Sequence, residues 1–231
     1  MRVVFQSRRA GGGFTLVELL VVISIILLLV MLILPSVDRA RMLGMRAVCR
    51  NNVREIAKAC LAYANEPRMH RGAEHPEALP TTEPTTEAGN AASLWLLVKY
   101  DMLGRDTFIC PEAKIRRGHK VADADATSFN YGGKTTLSYS YLSQVDMPTS
   151  LLDDELETSL VIVADKNPGD GGNSRNHQRE GQNIARLDGS AEWTTTPRIR
   201  TAGGSGTDNI YSPSSGNGPA RGSLNDAYVI P

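Results

Sequence analysis

The sequence predicts an α+β fold in which one long N-terminal helix packs on a small globular head with antiparallel strands. Residues 14–34 form an almost uninterrupted apolar run, which is typical of a helix surrounded by lipid. Residues 35–64 continue with apolar side chains at helical spacing. Further along, short β-like runs flank the turn-forming pair Asp188-Gly189. We therefore expect a membrane-spanning helix that continues into a mixed globular domain.

The composition excludes several classes of protein. Lys plus Arg equals Asp plus Glu at 25 each, and aromatic residues make up only 6% of the 231-residue chain. Because nucleic-acid binding needs basic patches and stacking side chains, we expect no nucleic-acid partner. The three cysteines are too few and too scattered for a disulfide scaffold or a zinc module.

The apolar run is long enough to cross a bilayer. It contains 21 residues from Phe14 to Leu34, of which only Thr15, Glu18 and Ser24 are not apolar. At the α-helical rise this length is about 32 Å, close to the hydrocarbon thickness of a membrane. A buried core helix would instead show a polar face, and the run is longer than the apolar region of a cleavable secretory signal.

The charges before the run predict its orientation. Three basic residues precede it, namely Arg2, Arg8 and Arg9. The positive-inside bias places this end in the cytoplasm and the following domain across the membrane. We therefore expect a single-pass inner-membrane protein with a periplasmic or extracellular head.

The segment Gly13-Phe14-Thr15-Leu16-Val17-Glu18 is similar to the cleavage and methylation signature of type IV pilins and type II secretion pseudopilins. The resemblance implies that prepilin peptidase cuts between Gly13 and Phe14, removes the basic leader 1–13 and methylates the new N-terminus. It also implies an assembly role for Glu18, whose carboxylate would be neutralised by the terminal amine of a neighbouring subunit. Pro35 stands where many family members have a mid-helix proline. The simpler explanation of Glu18 is that it reaches the membrane interface.

Beyond Pro35 the predicted helix becomes amphipathic over residues 35–64. An apolar seam repeats every three or four residues through Met42, Met45, Cys49, Val53, Ile56, Cys60 and Tyr63. Cys49 and Cys60 are too far apart along one helix to bond to each other. Either can pair with Cys110 if the head lies in an oxidising compartment, or all three can be free core residues.

The head is predicted to occupy residues 65–200. We expect a capped helix over 90–104, a brief strand at 108–110 and an aperiodic loop over 112–134. Strands follow at 137–143 and 159–165. A hairpin over 183–193 turns at Asp188 and Gly189 through a two-residue loop of the primed type. Residues 201–231 form a Gly- and Ser-rich tail, of which we expect residues 201–222 to be loose.

The head has a looser resemblance of its own. Cys49-Arg-Asn-Asn, Phe108-Ile-Cys-Pro and the stretch from His177 to Asp188-Gly189 are similar to pilin-like proteins of planctomycete-type bacteria. Those proteins join a prepilin helix to a domain that ends in such a histidine-to-Asp-Gly stretch. The resemblance implies the fold of the head and says little about its chemistry.

The head offers few candidates for chemistry. His177 and Asp188 suggest a dyad, but the sequence has no nucleophile-elbow serine and no H-E-x-x-H motif, so we expect no enzyme. The stretch containing Asp165, Asn167 and Asp170 alternates oxygen side chains with glycines, which suits calcium. Its spacing is not that of an EF-hand, and an ordinary polar loop is the alternative. Calcium is therefore the one cofactor considered.

These observations favour a structural subunit of a periplasmic pseudopilus or surface pilus in a type II secretion-like system. Its expected partners are prepilin peptidase, copies of itself, other pilins or pseudopilins, the inner-membrane assembly platform and the lipid bilayer. The alternative is a membrane-anchored extracytoplasmic binding module that never polymerises.

Overall fold

The computed structural model describes residues 13–65, 87–117, 137–142, 158–200, 207–212 and 229–230. Residues 1–12 of the predicted leader lie outside this part of the chain. So do residues 66–86, residues 118–134 of the predicted loop over 112–134, and residues 201–206, 213–228 and 231 of the predicted tail. The chain divides into two compact units, the first ending at Leu43 and the second beginning at Gly44.

One continuous helix, α1, runs from Leu16 to Ala64. Its first part is apolar and none of it is buried. Among the described residues it is the one helix long and apolar enough to cross a membrane. Pro35 lies inside the helix, which continues for another 29 residues to Ala64. The prediction of one long N-terminal helix is confirmed.

The later part of α1 provides one wall of the core of the second unit. Five residues of the predicted seam are buried, namely Cys49, Val53, Ile56, Cys60 and Tyr63, and Ala57, Ala59 and Ala64 are buried beside them. The first two seam residues, Met42 and Met45, are only half-buried. Leu94 and Leu97 of α2, Glu87–Lys99, are fully buried in the same core. The apolar spacing of the sequence therefore predicted this packing surface correctly.

An antiparallel sheet of five strands forms the rest of the core. In chain order its strands are β1 Tyr139–Leu142, β2 Val161–Asp165, β3 Gln182–Arg186, β4 Ala191–Thr194 and β7 Val229–Ile230. Their spatial order is β4-β3-β2-β1-β7. A second sheet pairs β5 Arg198–Arg200 with β6 Thr207–Asn209. All pairings are antiparallel, so the α+β prediction is confirmed.

The predicted strand at 108–110 is wrong. A 3-10 turn covers Arg105–Phe108, and α3 begins at Pro111 and ends at Arg117. Proline suits the first position of a helix because that position needs no backbone donor, and Glu112 suits the first turn of the helix dipole. The Ile-Cys-Pro run therefore introduces a helix, and the first residues of the predicted 112–134 loop belong to it.

The predicted tail takes part in the fold. Residues 207–209 form β6, and residues 229–230 form β7 beside β1. Ile210 and Tyr211 are buried, and the Tyr211 hydroxyl donates to the carbonyl oxygen of Asp165 at 2.6 Å. The high Gly and Ser content of this region concealed these anchoring residues.

Asp188 and Gly189 lie in the turn between β3 and β4, but the turn differs from the predicted primed type. Arg186 N donates to Ser190 O at 3.0 Å, which leaves a three-residue loop. Gly189 N donates back to Arg186 O. Of the three loop residues, only Gly189 has a positive φ, at 76°. This is a three-residue hairpin loop with glycine in the left-handed position. Asp188 Oδ1 accepts from Ser190 N at 2.7 Å.

Gly181 occupies a position that has no room for a side chain. A Cβ there would lie 2.3 Å from Thr194 O and 2.7 Å from the Trp193 ring. We expect Gly181→Ala to lower the free energy of unfolding by about 3 kcal/mol, because a backbone oxygen on β4 cannot move away cheaply. Urea denaturation of the detergent-solubilised protein would measure this. Gly104→Ala is the control, since a Cβ there meets nothing within 4 Å, and equal losses in both variants would contradict the prediction.

Candidate functional site

The predicted processing residues lie immediately before α1. Gly13 and Phe14 precede the first helical residue, Leu16, and both are exposed. A Cβ at Gly13 would meet nothing within 4 Å, and Phe14 retains 77% of its surface. The Gly13–Phe14 bond is therefore open to a peptidase in this part of the chain.

Glu18 forms a capping box with Thr15 at the start of α1. Its Oε2 accepts from Thr15 N at 2.8 Å and from the Thr15 hydroxyl at 2.7 Å. Glu18 N donates in turn to Thr15 Oγ1 at 3.2 Å. This reciprocal arrangement satisfies backbone donors that the first helical turn leaves free. Glu18 therefore has a local structural role, which the spacing Thr-x-x-Glu indicates but which was not predicted.

A buried polar cluster in the second unit was not predicted. It consists of Cys49, Cys110, Glu112, Asp165 and His177, each at most 1% exposed. Cys49 lies in α1, Cys110 directly precedes α3, and Glu112 lies in α3. Asp165 is the last residue of β2, and His177 ends a 3-10 turn at Arg175–His177. Residues separated by up to 128 positions thus meet in one place. Only the folded topology brings them together.

His177 is held between two carboxylates. Its Nδ1 lies 2.8 Å from Glu112 Oε2, and its Nε2 lies 3.3 Å from Asp165 Oδ2. Burial lowers the pKa of His177, but hydrogen bonds to Asp165 and Cys110 outweigh that effect and raise the pKa to about 11. His177 is therefore an imidazolium at neutral pH, with both ring nitrogens available as donors.

The two carboxylates have further donors. Glu112 Oε1 accepts from Arg116 Nε and from Gln178 Nε2, each at 3.1 Å. Asp165 Oδ2 accepts from Asn183 N at 2.6 Å and Asn183 Nδ2 at 3.0 Å, and Asp165 Oδ1 accepts from Asn176 Nδ2 at 3.1 Å. Burial of a carboxylate without hydrogen-bond partners is costly, and these donors remove that cost. These contacts fix the positions of the His177 ring and of both carboxylates.

Asp188 does not share this environment. Its carboxylate accepts from Ser190 N in the hairpin turn, and its backbone N donates to Thr158 O at 3.0 Å. His177 instead contacts Glu112 and Asp165. His177 and Asp188 therefore have different partners, and the absence of a catalytic dyad remains a prediction.

The two cluster cysteines face each other. Cys49 Sγ lies 2.8 Å from Cys110 Sγ, and Cys110 Sγ lies 3.9 Å from His177 Nε2. The hydrogen bond from Cys49 lowers the pKa of Cys110 to about 6 although burial opposes it, and the contact with His177 lowers it further. The same pairing with Cys110 and burial raise the pKa of Cys49. The donor atoms of these three residues lie within 4.8 Å of one another, a separation at which they could hold a metal ion.

The structure gives each predicted calcium ligand a protein partner. Asp165 belongs to the buried polar cluster. Asn167 Oδ1 accepts from Gly169 N at 2.8 Å, and Asp170 Oδ2 accepts from Arg179 Nη2 at 2.5 Å. Calcium binding would require Asp170 to exchange this arginine for the cation. The calcium site remains a prediction.

The charge state of His177 predicts an unusual pH response. Because its folded pKa of about 11 exceeds the ordinary value of about 6.5, its protonation stabilises the fold fully below pH 6.5, and this contribution decreases as the pH rises toward 11. We expect the His177 ring signals in NMR spectra of the solubilised protein to remain those of an imidazolium from pH 6 to 9. A titration centred near the ordinary histidine pKa would contradict the assignment of His177 as an imidazolium paired with Asp165.

Comparison with protein families gives one match. Residues 8–34 match a family model described as the prokaryotic N-terminal methylation motif. Neither the curated proteins nor the solved structures contain a match to this chain. The matched range includes Gly13, Phe14 and Glu18 and the whole apolar run to Leu34. The planctomycete-type resemblance of the head lies beyond this range and remains a prediction. The match supports the resemblance of this N-terminal segment to type IV pilin-like prepilins.

Proposed function

We propose that this protein is a non-enzymatic structural subunit of a pseudopilus or pilus in a type II secretion-like system. The observation that carries the proposal is the exposed Gly13–Phe14 bond at the start of an apolar helix with Glu18 near its tip. That helix can lie in lipid before assembly and among identical helices afterwards. Its apolar surface, exposed from Phe14 to Leu34, is the part that subunits would share.

The orientation belongs to the same proposal. Arg2, Arg8 and Arg9 would retain the N-terminal end in the cytoplasm, and a single crossing would place the second unit in the periplasm or outside the cell. Prepilin peptidase would act on the cytoplasmic side, and the inner-membrane assembly platform would then extract the processed subunit. The carboxylate of Glu18 is near the positive end of the helix dipole, where a negative charge is favourable.

The test is the intact mass of the protein isolated from its own membranes. We expect a chain that begins at Phe14 and carries one added methyl group. A chain that retains residues 1–13 would overturn the proposal and leave a signal-anchored protein. A processed protein that never enters filaments would instead support the anchored binding module.

A further inference from the structure

Cys49 and Cys110 face each other across the fold, and they are the two described cysteines whose sulfur atoms are in contact. They are 61 positions apart in the chain, both are fully buried, and their sulfur atoms lie 2.8 Å apart. Cys60, also fully buried, lies a further three helical turns along α1, and burial raises its pKa to about 12. The geometry therefore selects one of the two pairings that the sequence left open.

The separation of the sulfurs distinguishes a covalent bond from a shared metal ion. Zinc bound tetrahedrally by two thiolates at about 2.3 Å holds them about 3.8 Å apart. The observed 2.8 Å is much shorter than that, and rotation about the Cα–Cβ bonds can bring two facing thiols to bonding distance. His177 is also a poor ligand here, because both its ring nitrogens face carboxylates.

We propose that Cys49 and Cys110 form a disulfide bond in the mature protein. The inference rests on the proposed function for its oxidising compartment, because an extracytoplasmic second unit is where disulfides form and persist. The bond would tie α1 directly to the start of α3. Because Glu112 lies two residues after Cys110, the bond would also hold Glu112 in place against His177 Nδ1.

The reaction is a thiol–disulfide exchange with a disulfide-bearing protein oxidant. The Cys110 thiolate attacks a sulfur of the oxidant and forms a mixed disulfide, and the oxidant's other sulfur leaves as a thiolate. Cys49 then loses its proton and attacks Cys110 in the mixed disulfide, which releases the oxidant as a dithiol. Two electrons and two protons pass from the pair to the oxidant. The order of the two cysteines can be reversed without changing this balance.

Buried thiols are inaccessible in the folded chain, so the exchange must take place during folding. At that stage Cys110 and Cys49 can still reach an external oxidant. Once the core closes, the bond is shielded from reductants by the same burial. We therefore expect the disulfide to resist reduction until the protein is unfolded.

The test uses the full-length protein from its own membranes, with maleimide added before the cells are broken. After denaturation without reductant, we expect one thiol of the three to be labelled, at Cys60. Proteolytic peptides containing Cys49 and Cys110 should be joined, and reduction should add two hydrogen atoms to the intact mass. The Cys49→Ala variant should instead show two labelled thiols, at Cys60 and Cys110.

Two results would overturn the inference. One is labelling of all three cysteines in the denatured wild-type protein without reductant. The other is a stoichiometric zinc ion whose removal by a chelator exposes both thiols. The mass of the same sample reports its N-terminus independently. Free thiols on a chain that begins at methylated Phe14 would reject the disulfide alone, whereas a joined pair on an uncleaved chain would reject only the proposed function.

Discussion

Replacing Asp165 with asparagine should destabilise the second unit by about 3–5 kcal/mol, the range found when one partner of a buried ion pair is removed. Asp165 is 0% exposed, and its two oxygens accept from His177, Asn176 and Asn183. The variant keeps the size of the side chain but removes its charge. His177 would then lose one of its two counter-charges. The new amide NH₂ would also face a side-chain amide of Asn176 or Asn183, which is itself a donor.

The loss should appear in urea denaturation of the detergent-solubilised protein, followed by tryptophan fluorescence. Trp193 is a suitable reporter because its ring contacts the His177 ring edge-on, with centroids 5.3 Å apart. A domain of ordinary stability can be unfolded outright by a loss of this size. In that case a native-state proteolysis assay at low temperature would still rank the variants.

Asp170→Asn is the matched control. Asp170 lies five residues later in the same segment, but its side chain is 41% exposed and pairs with Arg179 and Arg175 in solvent. Exposed pairs contribute little, so this variant should denature close to the wild type. Similar losses of stability in both variants would show that the buried polar cluster does not stabilise the second unit.

Calcium addition to the wild-type protein in the same assay tests the calcium prediction. A ligand that binds only the native state must raise the urea concentration at the unfolding midpoint.

The parts of the fold that the sequence predicted are those with local periodicity. The seam from Cys49 to Tyr63 follows the helical repeat, and the runs at 139–142 and 161–165 follow from β-branched and aromatic composition. The error at 108–110 arose because a short apolar run before proline is compatible with either a strand or a helix entry. Nothing within those few residues distinguishes the two.

The buried polar cluster could not be predicted because its members are distant in sequence. Asp165 resembles a loop ligand when read with Asn167 and Asp170, since the sequence does not show that it closes a buried strand against His177. His177 has no local partner that identifies its role, because Glu112 lies 65 positions away. By contrast, the capping box of Thr15 and Glu18 spans three residues. It could have been identified from the sequence alone.

Replacing Glu18 should abolish assembly while leaving processing intact, and the capping box makes a sharper test possible than alanine alone. Glu18→Ala removes both the charge and the acceptor for Thr15 N, so a failure to assemble would not identify the cause. Glu18→Gln keeps an oxygen that can accept the same hydrogen bonds, as glutamine does in capping boxes, and removes only the charge. Thr15→Ala removes the capping hydroxyl and keeps the carboxylate.

If the carboxylate neutralises the amine of a neighbouring subunit, both Glu18 variants should be cleaved and methylated normally but be absent from sheared filaments. Thr15→Ala should then assemble, because its charge is unchanged. Filaments formed by Glu18→Gln but not by Glu18→Ala or Thr15→Ala would assign Glu18 to helix capping instead. The intact mass of the membrane fraction and immunoblots of the filament fraction separate these cases, because the first reports processing and the second reports assembly.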